Sequence, residues 1–251
     1  MSESALRDAA RQLRSADSDS AVRSVQLHAR SLFALYRVTF ADGLVLAAKL
    51  VDSADIAACE AGGLQALADA GAPTPRVHGT TPCGSGTALW MDFLAPETAA
   101  HAKVARPNRP AEQFEADLLA LYQSAPPEAG RGFGWHRDNY IGALPQPNGW
   151  HANFADFYWS DRFEPQLRTA IGHGLLEAAA GRQLEAAHRR CVEAWSLDRA
   201  RPALIHGDLW SGNVLAGPGG RLYLIDPSVA CAHPEQDLGM LQLFGSSLSA
   251  A

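Results

Sequence analysis

Lysine is almost missing from this chain: its 251 residues hold two, Lys49 and Lys103. No run of Lys and Arg occurs, and the net charge is −6, which argues against nucleic acid as a main partner. Cysteine is sparse too. Cys59, Cys83, Cys191 and Cys231 lie far apart with no C-x-x-C pair, so the spacing suggests neither structural zinc nor a disulfide framework. No apolar run is long enough to span a membrane, and the polar start MSESALRDAARQLR has no apolar signal core. These absences predict a protein of the reducing cytoplasm with no membrane partner. They leave the oligomeric state open. What is present is a chain that is 47% hydrophobic and 19% charged. That suffices for a sizeable core, in one large domain or two lobes, around a polar small-molecule substrate.

Residues 1–16 read as an opening helix. LFALYRVTF and LVLAAKLV flank the turn Ala41-Asp42-Gly43 and read as paired strands. Asp55 to Ala70 has helical spacing, with Gly71 as a stop. RVHGT and TALWMDFL supply further strands, so the first third is a mixed sheet with one main helix. A helix follows Pro107 and Pro110, from Ala111 to Gln123. The next stretch, to Trp150, is too rich in Gly and Pro to be regular. Helical patterns then run from about 152 to 195, followed by a hairpin and a last helix near 235–244.

Lys49 stands in LVLAAKLV, with apolar neighbours on both strand faces. A buried ammonium is costly unless paired. On the next helix Glu60 shares the apolar stripe of Ile56, Leu64 and Leu67, so it points inward as a candidate partner. An edge lysine reaching solvent or a plain buried ion pair is the bland account. The functional one is a lysine aimed at phosphate oxygens and held by a helix carboxylate.

Two stretches combine His, Asp and Asn: HRDN, from His136 to Asn139, and HGDLWSGN, from His206 to Asn213. Only the second has the D-x4-N spacing of a phosphotransfer loop, between Asp208 and Asn213. The first lies in a Gly/Pro-rich loop and is set aside for that role. Its Asp138 and Asn139 remain candidates for shaping a substrate pocket, or plain surface residues. After Asn213, NVLA-GPGG-RLYLID reads as a hairpin with a four-residue turn, pairing Ala216 with Arg221 and Asn213 with Leu224. Asp226 then becomes the diagonal neighbour of Asn213. An amide oxygen and a carboxylate are hard ligands that suit Mg²⁺ bridging nucleotide phosphates. Asp208 is free to accept a proton from a hydroxyl, and His206 braces the loop. The alternative is a polar turn whose Asp and Asn cap strand ends.

HGDLWSGNVL, LIDPSVACAHPEQDLGMLQLFG and FGWHRDNYIGALPQPNGW resemble the fructosamine kinase (ketosamine-3-kinase) family, within the aminoglycoside-phosphotransferase-like branch of the protein-kinase-like fold. The likeness covers most of the chain. It implies an α+β bilobal fold. A small lobe, residues 1–94, would carry an antiparallel sheet and one main helix and bind nucleotide. A mostly helical lobe, residues 95–251, would carry catalysis and the acceptor. The implied reaction is ATP- and Mg²⁺-dependent phosphorylation of a sugar hydroxyl on a ketosamine, a glycated amine. Lys49 matches the nucleotide lysine and Glu60 its partner; Asp208 matches the base, and Asn213 and Asp226 the metal ligands. Met91, Asp92, Phe93 and Leu94 fall at the adenine hinge. Asp237 matches an acid that braces the catalytic loop, and Trp210 either packs in the core or lines the sugar pocket.

Three departures stand out. No glycine occurs from Ala21 to Ala41, where the family has a glycine-containing phosphate loop, usually with a cysteine. Tyr122 stands where a Leu-His pair is usual. The sequence is short after Phe244-Gly245, where relatives continue for several helical turns. They keep two alternatives open: a catalytically weak kinase-like binding module, or a kinase of another small alcohol or aminoglycoside. The remaining histidines, among them His233 beside the last helix, show no metal-ligand spacing and read as packing or surface residues. Trp135, Trp150 and Trp159 read as core before sugar stacking.

Overall fold

In the computed structural model of the chain, residues 3–14, 21–95, 110–126, 128 and 130–244 are described. Helix α1 (Glu3–Arg14) precedes strands β1 (Val22–Arg30), β2 (Ala34–Phe40) and β3 (Val45–Val51). Helix α2 (Ala54–Asp69) follows, then β4 (Val77–Cys83) and β5 (Gly86–Asp92). The five strands form one antiparallel sheet in the order β1-β2-β3-β5-β4.

The two-residue period of a strand explains the layering. Leu46 and Ala48 of β3 face α1, in a core with Leu6, Phe40 and Trp90. Ala47 and Val51 face α2, in a core with Ala57, Leu64 and Met91. Lys49 therefore falls on the α2 side by alternation alone. Ser53 caps α2 by accepting the Ile56 N–H at 3.2 Å.

The larger part begins with α3 (Pro110–Gln123) and a hairpin of β6 (Asn139–Ile141) and β7 (Leu144–Gln146). Helix α4 (Phe154–Phe157) runs through a π-helical turn, Tyr158–Phe163, into α5 (Glu164–Gly172), and α6 (Ala178–Trp195) follows. Then come β8 (Ala203–Ile205), β9 (Val214–Ala216), β10 (Leu222–Leu224), β11 (Ala230–Ala232) and α7 (Glu235–Leu243). β8 pairs with β11, and β9 with β10. Leu67 of α2, Leu118 and Leu121 of α3, Leu204, Leu209 and Leu224 share one core, which ties the sheet-bearing part to the rest.

The structure departs from the sequence reading in four places. β1 is a strand where none was read, although Val25, Leu27 and Ala29 alternate with polar residues; it is an edge strand with its last five residues exposed, so that alternation marks no buried face there. The segment after HRDN is the β6–β7 hairpin, not an irregular loop. The helical stretch to 195 is broken by the π turn and by residues 173–177. The β9–β10 register is one residue off: Ala216 faces Leu222 and Val214 faces Leu224. Gly219 and Gly220 both take left-handed φ in that connection, which widens it, and Asn213 sits in a 3-10 turn ahead of the strand.

Candidate active site

A cavity of about 520 Å³ opens between the five-stranded sheet and the floor built by β9, β10 and the 206–213 turn. Lys49 reaches it from β3 and Glu60 from α2; the Lys49 ammonium meets a Glu60 oxygen at 2.8 Å. Asp226, just past β10, reaches the same ammonium at 2.9 Å. Burial pulls the Lys49 ammonium downward, yet the two carboxylates outweigh it and hold its pKa above the ordinary value. Glu60 shares that ammonium with Asp226 and is fully enclosed, so burial pushes it up to about 7. Its Oε1 is buried without a hydrogen-bond partner.

Asp208 and Asn213 face the cavity from the turn. The Asn213 amide nitrogen donates to the Asp208 carbonyl at 2.8 Å and to its carboxylate at 3.0 Å. Burial raises the Asp208 carboxyl to about 6, with the Asn213 bond pulling the other way. Asp226 takes a left-handed φ of 54°, uncommon outside glycine. Behind it the Ile225 N–H donates to the Asn213 carbonyl at 3.1 Å, so the two candidate ligand positions are locked together.

The turn itself is held from beneath. His206 is fully buried. Its Nε2 lies 2.8 Å from the Ile225 carbonyl and its Nδ1 3.2 Å from the Asp208 N–H, a pairing that demands a neutral ring protonated on Nε2. Burial holds its pKa down, at about 4. Gly207 has a φ of 82°, and a Cβ there would stand 1.9 Å from the Ser228 carbonyl oxygen. Only glycine fits that approach. Asp237, on α7, lies below and outside the cavity lining; one oxygen accepts the His206 N–H and the other the Gly207 N–H, both at 2.8 Å. Trp210 lines the cavity, with its ring lying over Gly212 and its edge toward Phe244.

The far end is lined by Met91, Asp92, Phe93 and Leu94 as β5 runs out. Asp92 is fixed by the His78 ring at 2.7 Å, and Phe93 is flanked by the His28 ring edge and the Arg37 guanidinium. Where a glycine loop was missed in the sequence, the β1–β2 connection presents Ser31, Leu32 and Phe33 to the cavity. Leu32 closes against Gly142 of the β6–β7 turn, and the Phe33 ring lies 5.5 Å from the Lys49 ammonium.

Asp138 and Asn139 stand apart from this group. Neither lines the cavity. Asp138 accepts the Asn148 N–H at 2.9 Å, and buried Asn139 donates to the Val229 carbonyl at 2.9 Å. Their neighbours Tyr140 and Gly142 are the residues of that segment that reach the lining. The sequence reading passed over both, and Phe33 as well, because pocket-facing side chains on a hairpin carry no spacing signal. Trp135 is core, Arg131 lies over the Trp150 ring, and Trp159 packs on Phe163 and His188.

The donor set fits a divalent cation of the Mg²⁺ kind. Among the described residues no group of three or more His, Cys, Asp or Glu could hold a metal unaided. Asn213 has its nitrogen committed to Asp208, leaving its oxygen for a cation, and Asp226 has one oxygen on Lys49 and a second to offer. Two hard oxygens with phosphate and water completing the shell is how Mg²⁺ is commonly held.

Comparison with known proteins agrees with this geometry. The fructosamine kinase family profile matches residues 46–250. A Synechocystis protein assigned as a ketoamine kinase is 33% identical over 193 residues, covering 74% of this chain and 59% of its own length. The chloroplastic protein-ribulosamine 3-kinase of Oryza sativa subsp. japonica is 30% identical over 187 residues, covering 72% of this chain and 50% of its own length. The chain thus spans between half and three-fifths of those relatives. A crystal structure from Thermobifida fusca, assigned as a fructosamine-3-kinase, superposes with a TM-score of 0.77 at 32% identity, over 97% of this chain and 81% of that one. Aminoglycoside phosphotransferase APH(4)-Ia, at 14% identity and a TM-score of 0.59, covers 94% of this chain and 75% of its own and shares the kinase-like fold. With most of its residues inside the matched profile, the chain belongs to the fructosamine kinase family.

Proposed function

We propose that this protein is an ATP-dependent kinase that phosphorylates a sugar hydroxyl of ketosamines. The observation that carries the reading is the convergence of Lys49, Glu60, Asp226, Asp208 and Asn213 on one cavity in a chain of this family. Lys49, braced by Glu60, would contact nucleotide phosphates, and Met91 to Leu94 would bind adenine. Asn213 and Asp226 would hold Mg²⁺, which when bound neutralises charge on the transferring phosphoryl group. Asp208 would orient the acceptor hydroxyl and take its proton. The acceptor oxygen forms its bond to the γ-phosphorus while the bond to the β-phosphate oxygen breaks and ADP leaves. Most of the acceleration then comes from placement and electrostatics.

The same reading assigns residues 1–94 to nucleotide binding and 95–251 to catalysis and acceptor binding. Trp210 would line the sugar site, and His206 and Asp237 would support the turn. Asp138 and Asn139 would act from behind, through the placement of Tyr140. Four free cysteines suit a reducing compartment such as the cytoplasm. No described helix is long and apolar enough to cross a membrane.

The test is ADP release by purified protein with ATP and Mg²⁺, offered fructosamines, ribulosamines and an aminoglycoside. Release with ketosamines alone supports the reading, whereas release with the aminoglycoside alone replaces it. Bound nucleotide without any release points to a binding module.

A further inference from the structure

Tyr122 lies on the last turn of α3, outside the cavity, and the sequence marks it only as a departure from the usual Leu-His pair. Its hydroxyl donates at 3.1 Å to Oδ2 of Asp237, a residue 115 positions away and fully buried. That same oxygen accepts the His206 N–H, and Oδ1 accepts the Gly207 N–H. One carboxylate thus gathers three donors, two of them from the backbone just ahead of Asp208. We infer that Tyr122 is a positioning residue: its hydroxyl keeps the Asp237 carboxylate ionised and aligned, and through it fixes the turn that carries Asp208. The inference deepens the kinase reading and rests on it for its catalytic consequence.

A buried carboxyl favours the neutral form, and each donor to it favours the charged form. Burial raises Asp237 to about 6, held back in turn by the His206 and Gly207 N–H groups and the Tyr122 hydroxyl. Asp208 adds a repulsion that opposes ionisation, and the His206 ring is held neutral by its own burial. Without the phenol hydroxyl, Asp237 should hold its proton to higher pH. A neutral carboxyl carries an O–H in place of one acceptor, so it can no longer serve both backbone N–H groups equally. The turn then loosens, and only where Asp237 is protonated. A merely structural tyrosine would give no such pH dependence.

The test is Tyr122→Phe, which removes one oxygen and keeps the ring. A rise of about one unit in the Asp237 pKa predicts a five- to tenfold loss of kcat at about pH 5.5–6. The same rise predicts less than about a twofold loss at pH 8.5, with KM for ATP little changed. A second readout needs no substrate: urea unfolding of both proteins at pH 5 and pH 8. Above its folded pKa a raised carboxyl destabilises the fold, so the variant's penalty should grow by about tenfold in unfolding constant between those values. An equal penalty at both pH values, or a kcat loss independent of pH, overturns the inference. If the wild type transfers no phosphate to any acceptor, the kinase reading fails, and the unfolding comparison alone decides whether Tyr122 sets the turn.

Discussion

His136-Arg137-Asp138-Asn139 and the turn from His206 to Asn213 are written in nearly the same letters, and the fold uses them differently. In the first, Asp138 holds the Asn148 N–H, while Asn139 is bound to Val229 and Gln146. Arg137 and Tyr140 both clamp Asp55 at the start of α2. These side chains join the sheet-bearing part to the floor. In the second, His206 is satisfied from beneath, while Asp208 and Asn213 bind each other and turn their remaining oxygens to the cavity. The difference lies in which polar atoms the protein already satisfies and which face open space. Residue type alone does not separate a clamp from a reactive group.

The largest effect expected is at Asp208. Asp208→Asn keeps the shape and removes the base, so kcat should fall by about a hundred- to ten-thousandfold while ATP affinity stays within a few-fold. Steady-state kinetics with equilibrium nucleotide binding would show it, and normal turnover would erase the contrast between the two turns. Next is Lys49→Met, which leaves Glu60 buried without its ammonium. Breaking such a pair costs about 3 kcal/mol at the low end of the usual range, the appropriate end because the Asp226 side chain is 41% exposed. Chemical denaturation measures it, and Glu60→Gln in the same background should recover part of the loss.

The third concerns acid. His206 has a folded pKa of about 4, below the unfolded value of 6.5, so the unfolded chain binds more protons between those limits. Its contribution to stability is therefore complete above about pH 6.5 and fades as pH falls toward 4. Asp237, raised by burial, works in the opposite sense over about pH 4–6. The His206 share is read as the difference between wild type and His206→Gln, which should flatten the acid slope. The smallest effect belongs to Asp138. Asp138→Ala removes one acceptor and should cost about 1–2 kcal/mol of stability, with kcat reduced less than about tenfold. Loss of turnover matching that of Asp208→Asn would show that the first turn is more than a clamp.

Much of this site could be seen in the linear chain, for specific reasons. Lys49 and Glu60 are visible because each is a charge in an apolar stripe of known period, and Asp208 and Asn213 because their spacing lies within one turn. The placement of Asp226 near Asn213 was anticipated from a register that proved one residue wrong. Proximity survived the slip because the Ile225 N–H still bonds the Asn213 carbonyl. What stayed hidden has no local signature. Tyr122 meets Asp237 only through the packing of α3 against the β8 region, and Phe33 and Tyr140 enter the cavity on hairpins whose outlines were misread. β1 is the exception: it escaped notice although Val25, Leu27 and Ala29 alternate with polar residues, a short signal that the reading passed over.

The crowding at Gly207 bears on how any scanning experiment here is interpreted. Replacing it with alanine drives a methyl carbon into the oxygen of Ser228 and asks a left-handed backbone to bear a side chain. An inactive protein would be the outcome even if that glycine never came near a reactant. Silence at position 207 would report a shortage of room, so conclusions about chemistry belong to substitutions at Asp208 and Asn213, which can be made without enlarging the side chain.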